Sequence, residues 1–248
     1  YYMNQIRIPT SKLANCIGLN QYQSIEDAVF ELINCRGMNT LEKLQLKDQL
    51  SDKSKTELCS ALGLENNANL SDINKALQSD CYKTAKTNGD NSSVLSKLTD
   101  TTLQAAIGGE YNKMGGIVHE KKDLDTLAKK EGVTITKRNT IMHHIIINLD
   151  EVSELKLTGK IDGYCPEKDC IIETKHRKNR LFKSVPEYER VQCEIYMRMF
   201  GVSRVYHTET FGDNSIETLL EKDDPFWNKI LMLLKTRFLP LYYEYSKI

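Results

Sequence analysis

The spacing of apolar positions changes along the chain and divides it into stretches of different kind. Near the start, Leu13, Ala14, Ile17 and Leu19 recur at helical spacing after Pro9-Thr10-Ser11, which predicts a short helix with Thr10 or Ser11 as N-cap and a stop near Gly18. A second helix is expected over residues 24–35. From about residue 39 to residue 100 the pattern is polar, rich in lysine and helical in pieces. Ser51 and Ser71 are expected as caps there, with breaks at Gly63 and at Thr87-Asn88-Gly89-Asp90, so the stretch reads as a helical insertion. An amphipathic helix is then expected over residues 115–131, ended by Gly132, and the β-branched runs 133–137 and 141–149 read as strands.

Residues 155–163 and 169–175 read as the two strands of a hairpin that turns at 166–169. Side chains alternate across a strand, so Glu173 and Lys175 share a face, and closing the hairpin brings Asp162 beside them. Pro186 opens a helix that runs to about residue 200 and is closed by Gly201; residues 202–210 form a further strand. The last helix is expected to start with Asp224 as N-cap and Pro225 in its first turn, and to be interrupted at Pro240. This order predicts an α/β core with a mixed sheet over residues 111–215. An N-terminal helical region (1–110) containing the insertion (39–100) precedes it, and a C-terminal helix (216–248) packs on it.

A chain of 248 residues can bury a sizeable core. Its 34 basic and 34 acidic side chains cancel, so any nucleic-acid surface must come from local clustering. Lys175, Arg177, Lys178, Arg180 and Lys183 form such a cluster, with a solvated basic loop as the alternative. Seven cysteines, an odd number at irregular spacings, give neither a disulfide framework nor a paired zinc motif, and Cys165 and Cys170 at the turn read as ordinary thiols. Free thiols, the absence of a membrane-length apolar run and an opening unlike a signal peptide lead to the expectation of a soluble intracellular protein with no membrane partner.

The candidate chemistry lies on the hairpin. Asp162 and Glu173 are hard oxygen donors of the kind Mg²⁺ or Mn²⁺ prefers, and a cation held there would polarise a phosphate and acidify a water. Lys175 supplies a compact charge for the water or the developing negative charge. The alternative is an exposed turn Asp beside a cross-strand Glu–Lys pair. Gln192 and Tyr196 lie one helical turn apart on one face, with a half-buried Gln–Tyr hydrogen bond as the alternative. Ser11 and the N–H groups at the first helix start, with Arg7 and Lys12 nearby, could hold a terminal phosphate; an ordinary cap is the alternative.

The Asp162, Glu173, Lys175 pattern resembles the PD-(D/E)xK nuclease superfamily, within it the branch of RecB-type nuclease domains and lambda exonuclease-like (YqaJ-type) enzymes. Three further stretches are similar to motifs of that branch: residues 10–14 with 18–22, Gly115-Gly116-Ile117-Val118-His119-Glu120, and Gln192-Cys193-Glu194-Ile195-Tyr196. Residues 39–100 match no part of it. The resemblance implies a restriction-endonuclease-like fold, with a central mixed sheet flanked by helices, and a Mg²⁺-dependent deoxyribonuclease in which Mn²⁺ can substitute. Such an exonuclease digests duplex DNA from an end, typically 5′ to 3′, in viral or phage-like recombination, repair or replication.

By the same resemblance, Asp162, Glu173, Glu120 and the carbonyl of Thr174 hold metal, and Lys175 and Gln192 assist the water. Tyr196, Ser11, Lys12, Arg7, Arg177, Lys178 and Arg180 meet DNA. Counting four residues from Gly115 selects His119 as the helix ligand, whereas counting from Gly116 selects Glu120. No cysteine follows Cys193, so no iron–sulfur cluster is expected. The resemblance also implies a trimer and a single-strand annealing protein as partner. The alternatives are a RecB-type single-strand or structure-specific endonuclease, and a catalytically silent nucleic-acid-binding module.

Overall fold

A computed structural model describes residues 4–87, 89 and 92–247; Asn88 and Asp90 of the expected break lie outside the described residues. The chain forms two compact units, one of residues 1–36 with 122–248 and one of residues 37–121.

The first unit is a mixed α/β assembly of two sheets with flanking helices. Strand β1 (Asn4–Pro9), which the residue pattern had not suggested, buries Ile6 and Ile8 and exposes Arg7 between them. A single 3₁₀ turn, Thr10–Lys12, leads into α1 (Leu13–Cys16), with no side-chain cap. The expected capping hydroxyl is used elsewhere: Thr10 Oγ1 donates to the carbonyl of Thr158 at 3.0 Å. Gly18, at φ +74°, ends the turn, and α2 (Ile25–Asn34) begins with Ser24 accepting from the N–H of Asp27.

The second unit holds α3 (Thr40–Leu46), α4 (Asp52–Leu62), α5 (Leu70–Thr87), α6 (Ser92–Leu95) and α7 (Thr101–Glu131) as far as Lys121. Its core contains Leu41, Leu58, Ile73, Leu77, Leu103 and Ile107. Ser51 caps α4 as expected, and Gly63 ends it at φ +71°. Ser71 does not cap: it lies inside α5, and Asn69 accepts from the N–H of Asp72 in its place. Helix α7 starts fourteen residues before the expected position, at Thr101, with Asp100 accepting from the N–H groups of Thr102 and Leu103. Burial of Leu103, Ile107 and Tyr111 carries it through its glycine pairs 108–109 and 115–116. Gly132, at φ +64°, ends it as expected.

Beyond α7 the first unit resumes. Residues 133–137 form only one bridge, Thr136 to Tyr164, because the chain turns at Lys137 and Asn139, both with positive φ. Strands β2 (His143–Asn148) and β3 (Ser153–Gly159) follow, and the first sheet runs β1-β3-β2 with β1 parallel to β3. The second sheet runs β4 (Gly163–Cys165), β5 (Cys170–His176), β6 (Arg204–Phe211), β7 (Asn214–Glu221), with β5 and β6 parallel.

The expected long strand 155–163 is therefore broken between the sheets. Gly159 permits the break: a Cβ there would lie 2.7 Å from Tyr196 Cε1 and 3.0 Å from Thr10 Oγ1, and the Tyr196 hydroxyl donates to the carbonyl of Lys160 at 2.7 Å. Helix α8 (Glu187–Phe200) starts after Pro186 and stops at Gly201 as expected. It packs Cys193 and Met197 against Ile171 and Val205 of the second sheet. Leu124 and Leu127 of α7 pack with Ile172 on the alternate face. Helix α9 (Asp224–Leu233) is capped by Asp223, not Asp224, whose carboxylate instead receives Arg198 at 2.5 Å. Pro240 does not interrupt the C-terminal segment; a π turn over Leu234–Phe238 joins α9 to α10 (Leu239–Ser246), which carries Pro240 in its first turn. Among the described residues no helix is long and apolar enough to cross a membrane.

Candidate active site

The hairpin that carries the chemistry is short. Its turn closes with the N–H of Asp169 donating to the carbonyl of Pro166, Asp169 taking φ +44°. Asp162 lies just before β4, and its Oδ2 accepts from the N–H of Thr174 at 2.8 Å and from Thr174 Oγ1 at 3.2 Å. Those two bonds fix the Asp162 carboxylate on β5 between Glu173 and Lys175. Lys175 Nζ donates to Glu173 Oε1 at 2.6 Å and to Gln192 Oε1 at 3.3 Å, and Gln192 Nε2 donates to the Tyr196 hydroxyl at 3.2 Å. Asp162, Glu173, Thr174, Lys175, Gln192 and Tyr196 thus come together, and the alternation along β5 is as the residues predicted.

Burial dominates the electrostatics of this group. Glu173 is 1% exposed, and its Oε2 is buried without a hydrogen-bond partner. Burial and the neighbouring Asp162 push its carboxyl from 4.5 up to about 8, against the pull of Lys175. Asp162 is also raised, by burial, although Lys175 and the Thr174 hydrogen bonds oppose it. Burial works to lower Lys175, but the carboxylates of Glu173 and Asp162 outweigh it and raise the ammonium above its ordinary value. Two buried carboxylates with an unpartnered oxygen match what a hard divalent cation requires: it would offset their mutual repulsion and coordinate Glu173 Oε2. The residues present fit Mg²⁺ or Mn²⁺.

A second charged group adjoins the first and was not foreseen. Glu189, His207 and Glu209 are all buried, and each offers a ligand atom within 4.8 Å of the others. His207 is the register partner of Glu173 across the parallel β5–β6 pairing, and Glu209 that of Lys175. Arg177 sits among them, its side chain 13% exposed and forked between Glu189 and Glu209. The sequence offered one signal for Glu189, its place three residues before Gln192 on the same helical face. His207 and Glu209 depend on a strand register that the residues alone did not reveal.

The remaining candidates lie on other elements. Arg177 is held internally and is not presented to phosphate, whereas Lys178, Arg180 and Lys183 are exposed. Ser11 and Lys12 are exposed on the first turn, and Arg7, exposed on β1, donates to Gln5 Oε1 at 2.9 Å. His119 and Glu120 lie on α7 in the part that belongs to the second unit. All seven cysteines are buried.

No family model matches the chain, and no curated protein matches it. Several solved structures are similar to it. A phage-related exonuclease from Haemophilus somnus 129PT shares 13% identity, with 99% of this chain and 96% of that chain covered and a TM-score of 0.45. The alkaline exonuclease LHK-Exo from Laribacter hongkongensis shares 15% identity over 77% of this chain and 89% of its own, with a TM-score of 0.40. The same enzyme in complex with dAMP gives 14% identity, coverages of 78% and 89%, and a TM-score of 0.39. At these identities and TM-scores the likenesses are distant, and the chemistry of the site is read from its own residues.

Proposed function

We propose that this protein hydrolyses DNA phosphodiester bonds with a divalent cation, Mg²⁺ or Mn²⁺, and that it works as an exonuclease from a duplex end, 5′ to 3′. The observation that carries the reading is the buried Glu173 carboxylate, with Oε2 left open beside Asp162 and Oε1 on Lys175. Asp162 and Glu173 would hold the cation, with the Thr174 carbonyl beside them. Glu120 or His119 is the sequence-based candidate for a further ligand. When bound, the cation supplies Lewis-acid polarisation of the phosphate and lowers the pKa of a water.

The protein's own groups do the rest. Lys175 is kept protonated by two carboxylates, so it acts as a fixed positive charge that orients the water and offsets charge developing on the phosphate. Gln192, held between Lys175 and Tyr196, gives the ammonium a second acceptor beside Glu173. Exposed Lys178, Arg180 and Lys183 would meet the phosphate backbone in a salt-dependent way.

The test is digestion of an end-labelled linear duplex, a matching single strand and a closed circle with Mg²⁺, Mn²⁺ or EDTA. The expected result is metal-dependent loss of the linear duplex from its 5′ end and intact circles, with Lys175→Ala slower by about 10²–10³-fold. Cutting of circles, or of single strands only, would move the reading to a RecB-type endonuclease. DNA binding without cleavage under any metal would replace it with a silent binding module.

A further inference from the structure

Glu189, His207 and Glu209 assemble two carboxylates and an imidazole within 4.8 Å, a donor set that suits zinc, cobalt or manganese. The place is already taken. Arg177 Nη1 and Nη2 donate to the two oxygens of Glu189 at 2.8 and 2.7 Å, a bidentate fork. Its Nε donates to Glu209 Oε1 at 3.1 Å, and Nη2 reaches the same oxygen. His207 Nε2 lies 2.8 Å from Glu189 Oε2, and the remaining Glu209 oxygen accepts from the N–H of Phe182 at 2.7 Å. The Phe182 ring covers the guanidinium at 4.3 Å.

We propose that Arg177 is a positioning residue: its guanidinium fills, as a permanent internal cation, a carboxylate–histidine cluster that would otherwise take a divalent metal. It thereby confines the catalytic cation to Asp162 and Glu173 and holds α8 over Lys175. The effect on rate rests on the proposed function, whereas the effect on metal binding rests on the geometry alone. The cluster adjoins the site through the β5–β6 register, Glu173 beside His207 and Lys175 beside Glu209. Without a cation between them, Glu189 and Glu209 are buried anions, and a metal added for catalysis has a competing destination. The fork on Glu189 also fixes the helical turn that presents Gln192 to Lys175. Lysine keeps the charge but cannot make the fork, so charge and geometry can be separated.

The experiment compares wild type, Arg177→Gln, Arg177→Lys and the double variant Arg177→Gln with His207→Gln. Co²⁺ binding is followed by equilibrium dialysis and visible absorption, and kcat and KM are measured on linear duplex with Mg²⁺. Arg177→Gln is expected to bind one more Co²⁺ per chain than wild type, and the double variant to lose it. Arg177→Lys is expected to bind no extra Co²⁺ and to lose about 10- to 100-fold in kcat with KM for DNA unchanged. A folded Arg177→Gln with wild-type Co²⁺ stoichiometry overturns the proposal, as does an Arg177→Lys enzyme with wild-type kcat. Folding of Arg177→Gln only in the presence of Co²⁺ supports it, because the metal then replaces the guanidinium. If Arg177→Gln folds under neither condition, the rate of Arg177→Lys decides. If wild type cleaves no DNA, the proposed function falls and the Co²⁺ result alone decides this inference.

Discussion

Glu173 and Glu189 belong to adjoining charged groups, both are almost fully buried, and burial pushes both carboxyls up; yet one ends at about 8 and the other at about 2. The difference lies in what their oxygens receive. Both oxygens of Glu189 accept from Arg177, and one also faces His207, so hydrogen bonds and opposite charge overcome desolvation. Glu173 has one oxygen on Lys175, a second without a partner, and Asp162 nearby as a like charge. In the same buried environment, hydrogen bonds and opposite charge satisfy one carboxylate, whereas the other keeps an unmatched oxygen beside a like charge.

The same conservative change should therefore act with opposite sign at the two positions. Glu189→Gln breaks a buried fork and leaves Arg177 half-paired, which should cost about 3–5 kcal/mol of stability. Glu173→Gln removes a repelling carboxylate, and in EDTA above pH 8 it should leave the protein as stable as wild type or more so, although DNA cleavage is abolished. Urea denaturation of both variants with EDTA checks this, and equal losses at the two positions would dissolve the distinction.

The dependence on pH sharpens it further. A carboxyl raised from 4.5 to about 8 holds a proton that the unfolded chain has released, so Glu173 makes the metal-free protein less stable as pH rises across that window. A carboxyl lowered from 4.5 to about 2 does the reverse: the stabilisation from Glu189 is complete above 4.5 and is lost as pH falls toward 2. Stability measured against pH in EDTA should fall on both sides, with the alkaline fall absent in Glu173→Gln and reduced by Mn²⁺.

Gly159→Ala tests the open side alone. Its Cβ would press on Tyr196 and Thr10, which should cost about 1–3 kcal/mol and displace Gln192, slowing cleavage while the Arg177 cluster stays intact. The smallest effect is expected in the second unit. At Gly109 a Cβ would meet nothing within 4 Å, so Gly109→Ala should raise stability by about 1 kcal/mol in thermal unfolding and change neither charged group.

The open group was legible in the sequence because its information is local. Alternation along 173–175 and a turn at 166–169 place Glu173 and Lys175, and Pro186 with Gly201 delimits the helix bearing Gln192. The closed group was hidden because Arg177, Glu189, His207 and Glu209 meet only through the parallel β5–β6 register and the packing of α8. Strand β7 escaped notice because much of its side-chain surface is exposed, so no burial rhythm marks it. The break after Gly159 was hidden for a different reason: the ring that requires it, Tyr196, comes from another element.

The parallel pairing of β1 with β3 bears on the order in which this chain can fold. β1 is synthesised before the helical unit, but its partner follows almost 150 residues later, after the whole helical unit has emerged. The helices of residues 37–121 can bury Leu58, Leu77 and Ile107 against one another while β1 still has no partner. Both halves of the charged machinery come later still, since Glu209 must be synthesised before Arg177 is satisfied. During synthesis, therefore, the residues of the helical unit are all present well before either charged group can be completed.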